Sequence, residues 1–142
     1  MIKKNILIHA INGIWLGHIK RTVLVAKSLN KLDWVWKIIF MSNSKDPFLI
    51  KNHWFQIETL DYWIEDTLKD ISFDFYESHN YKKILSIIKK EEIQVIFHDT
   101  FFLKTLIVKH KEISHFLILR DSELSYLNSN KEFLYNFRKI YI

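Results

Sequence analysis

The sequence predicts an α/β fold, a doubly wound parallel sheet whose strands alternate with helices. Three observations point there. Five short segments are almost continuously apolar rather than alternating, as strands covered on both faces are. The stretches between them carry apolar residues at helical spacing, with lysines opposite. The whole chain holds only two glycines, and both fall where the first strand must hand over to a helix.

Taken in order, the first strand is expected over 5–11. The helix after it shows Ile19, Val23, Ala26 and Asn30 on one stripe, joined by Thr22 and Leu29, while Lys20, Lys27 and Lys31 lie opposite. Strands over 36–42 and 54–60 follow. The stretch 61–79 mixes aromatics (Tyr62, Trp63, Phe73, Phe75, Tyr76) with acids (Asp61, Glu65, Asp66, Asp70, Asp74). It reads either as a long loop with one helical turn or as a surface helix packing its aromatics on the core. Tyr81, Ile84, Leu85 and Ile88 then form a helical face with Lys82, Lys83, Ser86, Lys89 and Lys90 outward. A fourth strand over 94–99, a helix carrying Phe102, Leu103, Leu106 and Ile107, and a fifth strand over 115–120 complete the alternation. That order implies right-handed crossovers and one parallel sheet.

A chain of 142 residues, 49% hydrophobic, is about one domain's worth and can fill one core. Its apolar runs are short and broken by Lys, His or Asp, whereas a membrane-crossing helix needs about 20 residues. The start, Met1-Ile2-Lys3-Lys4-Asn5, enters a strand without a signal-peptide cleavage site, so a cytoplasmic location is expected. The absence of cysteine excludes disulfides and thiolate metal sites. The net charge of +5 comes mainly from lysine, the arginines being Arg21, Arg120 and Arg138. It reads as a surface for anionic lipid or as solvated helix faces in a lysine-rich composition. No nucleic-acid-binding signature accompanies it, and no nucleic acid partner is expected.

The two glycines lie in Asn12-Gly13-Ile14-Trp15-Leu16-Gly17-His18. Glycine permits tight turns and close ligand approach, and open parallel sheets bind ligands beyond the carboxyl ends of their strands. A plain tight turn would account for the glycines equally well. Two phosphate loops fail. The segment ends Gly17-His18-Ile19-Lys20, not Gly-Lys-Ser/Thr, and the second strand ends Met41-Ser42-Asn43-Ser44 without the acid a dinucleotide fingerprint requires. Neither NAD nor ATP is supported, and no cofactor or metal is expected.

The run Ile6-Leu7-Ile8-His9-Ala10, then Asn12-Gly13, Gly17-His18-Ile19-Lys20-Arg21 and Ala26-Lys27-Ser28-Leu29 resembles the opening of GT-B glycosyltransferases. In style it is similar to the bacterial cell-wall N-acetylglucosaminyltransferase and the UDP-glucuronosyltransferase-like enzymes. Later landmarks keep the order. They are Ser42-Asn43-Ser44 followed by the only proline, Pro47; Val95-Ile96-Phe97-His98-Asp99-Thr100-Phe101; and Leu117-Ile118-Leu119-Arg120-Asp121. One departure is Trp15, which stands where relatives carry a small residue and so bears on acceptor access.

The resemblance implies a single Rossmann-like domain over 1–142, the N-terminal, acceptor-side half of a GT-B architecture, with the donor-binding domain absent. It implies transfer of a sugar from a nucleotide-sugar donor to a hydroxyl acceptor. The last residues, Arg138-Lys139-Ile140-Tyr141-Ile142, look like the start of a strand that continues in relatives. Either a separate donor-binding chain completes the enzyme, or the gene is truncated or decayed. The competing reading is a non-catalytic α/β binding or interaction module that kept only the fold. Implied partners are the sugar acceptor, the donor-binding chain and a weak peripheral membrane contact through Lys20, Lys27 and Lys31.

Relatives with Gly-His at this loop use the histidine as base, so the resemblance makes His18 the candidate base and Asp99 the carboxylate that orients it. An imidazole titrates near ~6.5 when unperturbed, which suits it to that work. Asn12, Gly13, Gly17, Arg21, Ser42, Asn43 and Ser44 are the candidate acceptor or phosphate-loop residues. Each has a plainer reading: His18 as a residue near a helix start, and Asp99 as N-cap of a helix beginning at Thr100. His98 should face away from Asp99 as a packed histidine. His9, His53, His79, His110 and His115 show no metal-ligand spacing. Arg120-Asp121 reads as a structural ion pair or as cleft lining.

Overall fold

The structure, a computed structural model, describes residues 2–11, 17–43, 48–61 and 73–142. The apolar runs form strands β1 (Lys4–Ala10), β2 (Val35–Ser42), β3 (Gln56–Thr59), β4 (Val95–Asp99), β5 (Ser114–Ile118) and β6 (Phe137–Tyr141). Between them lie helices α1 (Gly17–Leu29), α2 (Phe48–Lys51), α3 (Phe73–Lys90), α4 (Lys104–Lys109) and α5 (Leu124–Asn128), with 3-10 turns at 121–123 and 131–136. All five strand pairings are parallel, in the order β3-β2-β1-β4-β5-β6.

The period-two alternation of side chains sorts the core onto two faces. Ile6, Ile8, Ala10, Phe40, Val95 and Phe97 pack with Ile19, Val23 and Ala26 of α1 and Ile50 of α2. Leu7, Ile39, Met41 and Ile96 face the other way, against Ile84 and Ile87 of α3 and Leu106 of α4. A smaller cluster gathers Phe102, Ile107, Leu117 and Leu119 beneath Tyr126, Phe133 and Phe137.

Several sequence expectations need correction. Trp54 does not belong to β3. It ends the turn after the unanticipated α2, with φ of 65° and 95% exposure. From Phe73 onward the stretch read as loop or surface helix is helix, continuous with the lysine-rich segment. Its preceding residues, 62–72, lie outside the described residues. Asp99 does not cap a helix. Helix α4 begins only at Lys104, and its first N–H groups, from Thr105 and Leu106, donate to the carboxylate of Glu77 on α3, each at 2.9 Å. Burial pushes the Glu77 carboxyl up from its usual range, and these two bonds offset that only in part. The fifth strand stops at Ile118, so Arg120 opens the 3-10 turn instead.

On the α3 side of the sheet runs a row of fully buried histidines: His9 on β1, His98 on β4 and His115 on β5. His98 does face away from Asp99, as alternation requires. The Leu103 N–H donates to His98 Nδ1 at 3.4 Å. That fixes His98 Nε2 as the donor to His115 Nδ1 at 3.0 Å, and His115 Nε2 then donates to the His110 carbonyl at 3.0 Å. The chain is satisfied only with both rings neutral. His9 Nε2 lies 3.2 Å from the Tyr76 hydroxyl. Burial lowers His9 to about 3, partly offset by a backbone hydrogen bond at Phe101. Burial, reinforced by the neighbouring imidazoles of His115 and His9, holds His98 well below the imidazole range; burial also lowers His115.

Candidate functional site

The chain leaves β1 to build β2 and β3 on one side, then returns to build β4, β5 and β6 on the other. The two central strands β1 and β4 are therefore neighbours whose connections depart in opposite directions, the switch point at which open parallel sheets form a ligand crevice beyond the carboxyl ends. Ala10 pairs with Asp99 as the last rung between them. Gly17 and His18 open α1, which follows β1, while Asp99 ends β4. The topology thus brings residues 81 positions apart to one edge.

There His18 Nδ1 lies 2.7 Å from Asp99 Oδ2. A carboxylate can only accept, so Nδ1 carries the proton towards Asp99, with Arg21 Nη2 3.2 Å from the same nitrogen, and in the neutral ring Nε2 holds the lone pair. The Asp99 side chain is fully buried and that of His18 is a quarter exposed, which leaves one edge of the ring open to solvent. Phe101 packs beside the imidazole, 6.2 Å between ring centres, and Tyr126 packs edge-on against Phe101.

Arg21, one helical turn beyond His18, closes the cluster. Its Nη2 donates to Asp99 Oδ1, to Thr100 Oγ1 at 3.1 Å and to Glu123 Oε2 at 3.4 Å. Nε and Nη1 of Arg21 are buried without a hydrogen-bond partner. Thr100 Oγ1 donates to Glu123 Oε2 at 2.5 Å, and the Arg120 N–H donates to the same oxygen at 2.8 Å. Burial raises the Glu123 carboxyl, but hydrogen bonds from Thr100 and the Arg120 N–H and the charge of Arg21 outweigh it. The carboxyl is held below its usual range, ionised at neutral pH. Its other oxygen, Oε1, sits 3.9 Å from His18 Nε2. Thr100 itself has φ of 61°, a left-handed conformation costly for a β-branched residue, and strain of that kind gathers at functional sites.

Of the other residues singled out in the sequence, Ser42 and Asn43 are buried at the carboxyl end of β2 beside β1, Ser42 pairing with Ala10. Asn12, Gly13 and Ser44, and the Trp15 departure, lie outside the described residues. Sequence reasoning missed Thr100 and Glu123. The Arg120-Asp121 landmark pointed at the right segment but stopped two residues short of the carboxylate that enters the cluster. Among the described residues no group of His, Asp and Glu could hold a metal ion.

No protein-family model and no curated protein matches this sequence. Solved structures match it by fold. Phytolacca americana UGT2, complexed with UDP-2fluoro-glucose and pterostilbene, superposes with a TM-score of 0.60 at 13% identity, over 82% of this chain and 30% of its own. The glycotransferase of kitacinnamycin gives 0.66 at 8% identity, over 96% and 37%. Acinetobacter baumannii MurG gives 0.64 at 12% identity, over 97% and 40%. The fold is that of a domain of GT-B glycosyltransferases. This chain spans less than half the length of each of these structures.

Proposed function

We propose that this chain is the acceptor-side domain of a glycosyltransferase that moves a sugar from a nucleotide-sugar donor to a hydroxyl acceptor. The observation that carries the reading is the His18–Asp99 hydrogen bond at the crevice between β1 and β4. In the reaction, His18 Nε2 takes the proton of the acceptor hydroxyl as that oxygen forms its bond to the anomeric carbon. The bond from that carbon to the diphosphate breaks, and its electron pair leaves with the nucleotide. Asp99 keeps the imidazole in the productive tautomer and stabilises the imidazolium that forms. The donor is held by a second domain, on this polypeptide or another, and the two halves together give the near-attack geometry. With a donor domain supplied, His18→Ala should lower turnover ~10²–10⁴-fold, the usual contribution of a general base, and Asp99→Asn should cost less. Parental transfer rates in both variants would end the proposal.

A specific observation also favours peripheral contact with anionic membrane. Lys20 and Lys27 line a shallow groove with Val23, Leu24 and His53, and Leu24 and the neighbouring Trp54 are largely exposed. Exposed apolar side chains between lysines suit an interfacial docking surface. Among the described residues no helix is long and apolar enough to cross a membrane.

A further inference from the structure

His18 and Glu123 present two hydrogen-bond acceptors side by side at the open edge of the site. With Nδ1–H given to Asp99, Nε2 of the neutral His18 ring only accepts. Glu123 is ionised and accepts at both oxygens. Its Oε2 is already taken by Thr100, the Arg120 N–H and Arg21, whereas Oε1 has no donor among the described residues. With the imidazole neutral, the state in which it acts as a base, these two acceptors stand 3.9 Å apart, too far for a bond. A single alcohol has one proton and can satisfy only one of them. Two adjacent hydroxyls can satisfy both, because each oxygen needs to come within about 2.7 Å of its own acceptor.

We infer that Glu123 is a specificity-determining residue that selects acceptors bearing a 1,2-diol, one hydroxyl on His18 Nε2 and its neighbour on Glu123 Oε1. The inference rests on the reading of His18 as the acceptor-facing base. Phe101, against the imidazole, supplies an apolar wall for the carbon face of such a ring. The Glu123 carboxylate is placed for this by Thr100 just after β4, Arg21 on α1 and the Arg120 N–H just before the 3-10 turn, so it meets the ligand with little reorganisation.

The test reads binding rather than transfer, so it can fail while the catalytic reading stands. The imidazole resonances of His18 in the purified chain are followed by NMR during titration with cis-1,2-cyclohexanediol and, separately, with cyclohexanol. The diol should perturb His18 with an apparent affinity about tenfold tighter than the mono-alcohol, the scale of one added hydrogen bond to a charged acceptor. Glu123→Gln and Glu123→Asp, each shown folded by circular dichroism, should bring the two alcohols to the same affinity. Glu123→Gln removes the charge, and Glu123→Asp retains it but draws Oε1 back. Equal affinity for both alcohols in the parent chain, a diol advantage that survives in both variants, or no response of His18 to either alcohol would each overturn the inference.

Discussion

Acidification should destabilise this fold well before its carboxylates titrate. His9, His98 and His115 are buried with folded-state values below the ordinary ~6.5, while the unfolded chain titrates near that value. Below pH ~6.5 the unfolded state binds protons that the folded state refuses, so stability falls with falling pH. For His9 the loss continues down to about 3. For His9 the loss reaches about 1.4 kcal/mol at pH ~5.5, and His98 and His115 add to it in the same direction. Set against the ~5–15 kcal/mol typical of a domain, that is a measurable change. Glu77, raised by burial, works in the opposite direction and offsets some of this. The depressed Glu91, Glu112 and Glu123 titrate below the window. The assay is urea unfolding of the purified chain at half-unit steps from pH 7.5 to 5.5. His9→Phe, measured in parallel, should reduce the pH-dependent loss by about 1.4 kcal/mol at pH ~5.5, and Glu77 cancels in that comparison. Unfolding free energies that stay level across the range would refute the neutral, unidirectional hydrogen-bond chain.

Three further outcomes follow from the geometry. At Thr100, Gly should be more stable than Ala by about 1 kcal/mol or more in thermal or urea unfolding, reversing their helical ranking, because only Gly relieves a left-handed backbone. Equal stabilities would remove the strain argument. Lys20→Glu combined with Lys27→Glu should weaken sedimentation with anionic vesicles at low salt, by on the order of 1 kcal/mol per engaged lysine, and leave neutral vesicles unaffected. Indifference to the double substitution would leave the charge as composition only. On the proposed reading the donor is held by a second domain, so residues 1–142 alone, given a UDP-sugar and an acceptor, should release no UDP above background; stoichiometric release would place a donor site within this chain.

Much of the sheet was legible because buried parallel strands leave near-continuous apolar runs, and those runs lie close to the observed β1, β2, β4 and β5. The meeting of His18 and Asp99 was legible too, since strand order fixes which carboxyl ends converge. The third strand was drawn too long because Trp54 and Phe55 are as apolar as strand residues, while periodicity carries no sign of a left-handed turn at Trp54. Asp99 looked like a helix cap because Asp is favoured there. Glu77 takes that work from 28 and 29 positions away, a relation no local pattern encodes. Glu123 was hidden for a similar reason. It stands in a short acidic-polar stretch, Asp121-Ser122-Glu123, and only tertiary packing turns one of its carboxylates towards Arg21 and Thr100.

The site is assembled from parts of unequal persistence. Asp99 ends a strand locked between β1 and β5, and His18 opens a helix whose buried stripe packs on the same core. Amides of such elements exchange with solvent only when the whole domain opens. Glu123 rides on a single 3-10 turn after β5, with no buried residue of its own. In native-state hydrogen exchange the turn should open at lower free energy than β1 and β4, so the dyad outlasts its carboxylate neighbour. On the proposed reading, mild denaturant or warming would then erode selectivity among acceptors before it erodes deprotonation by His18.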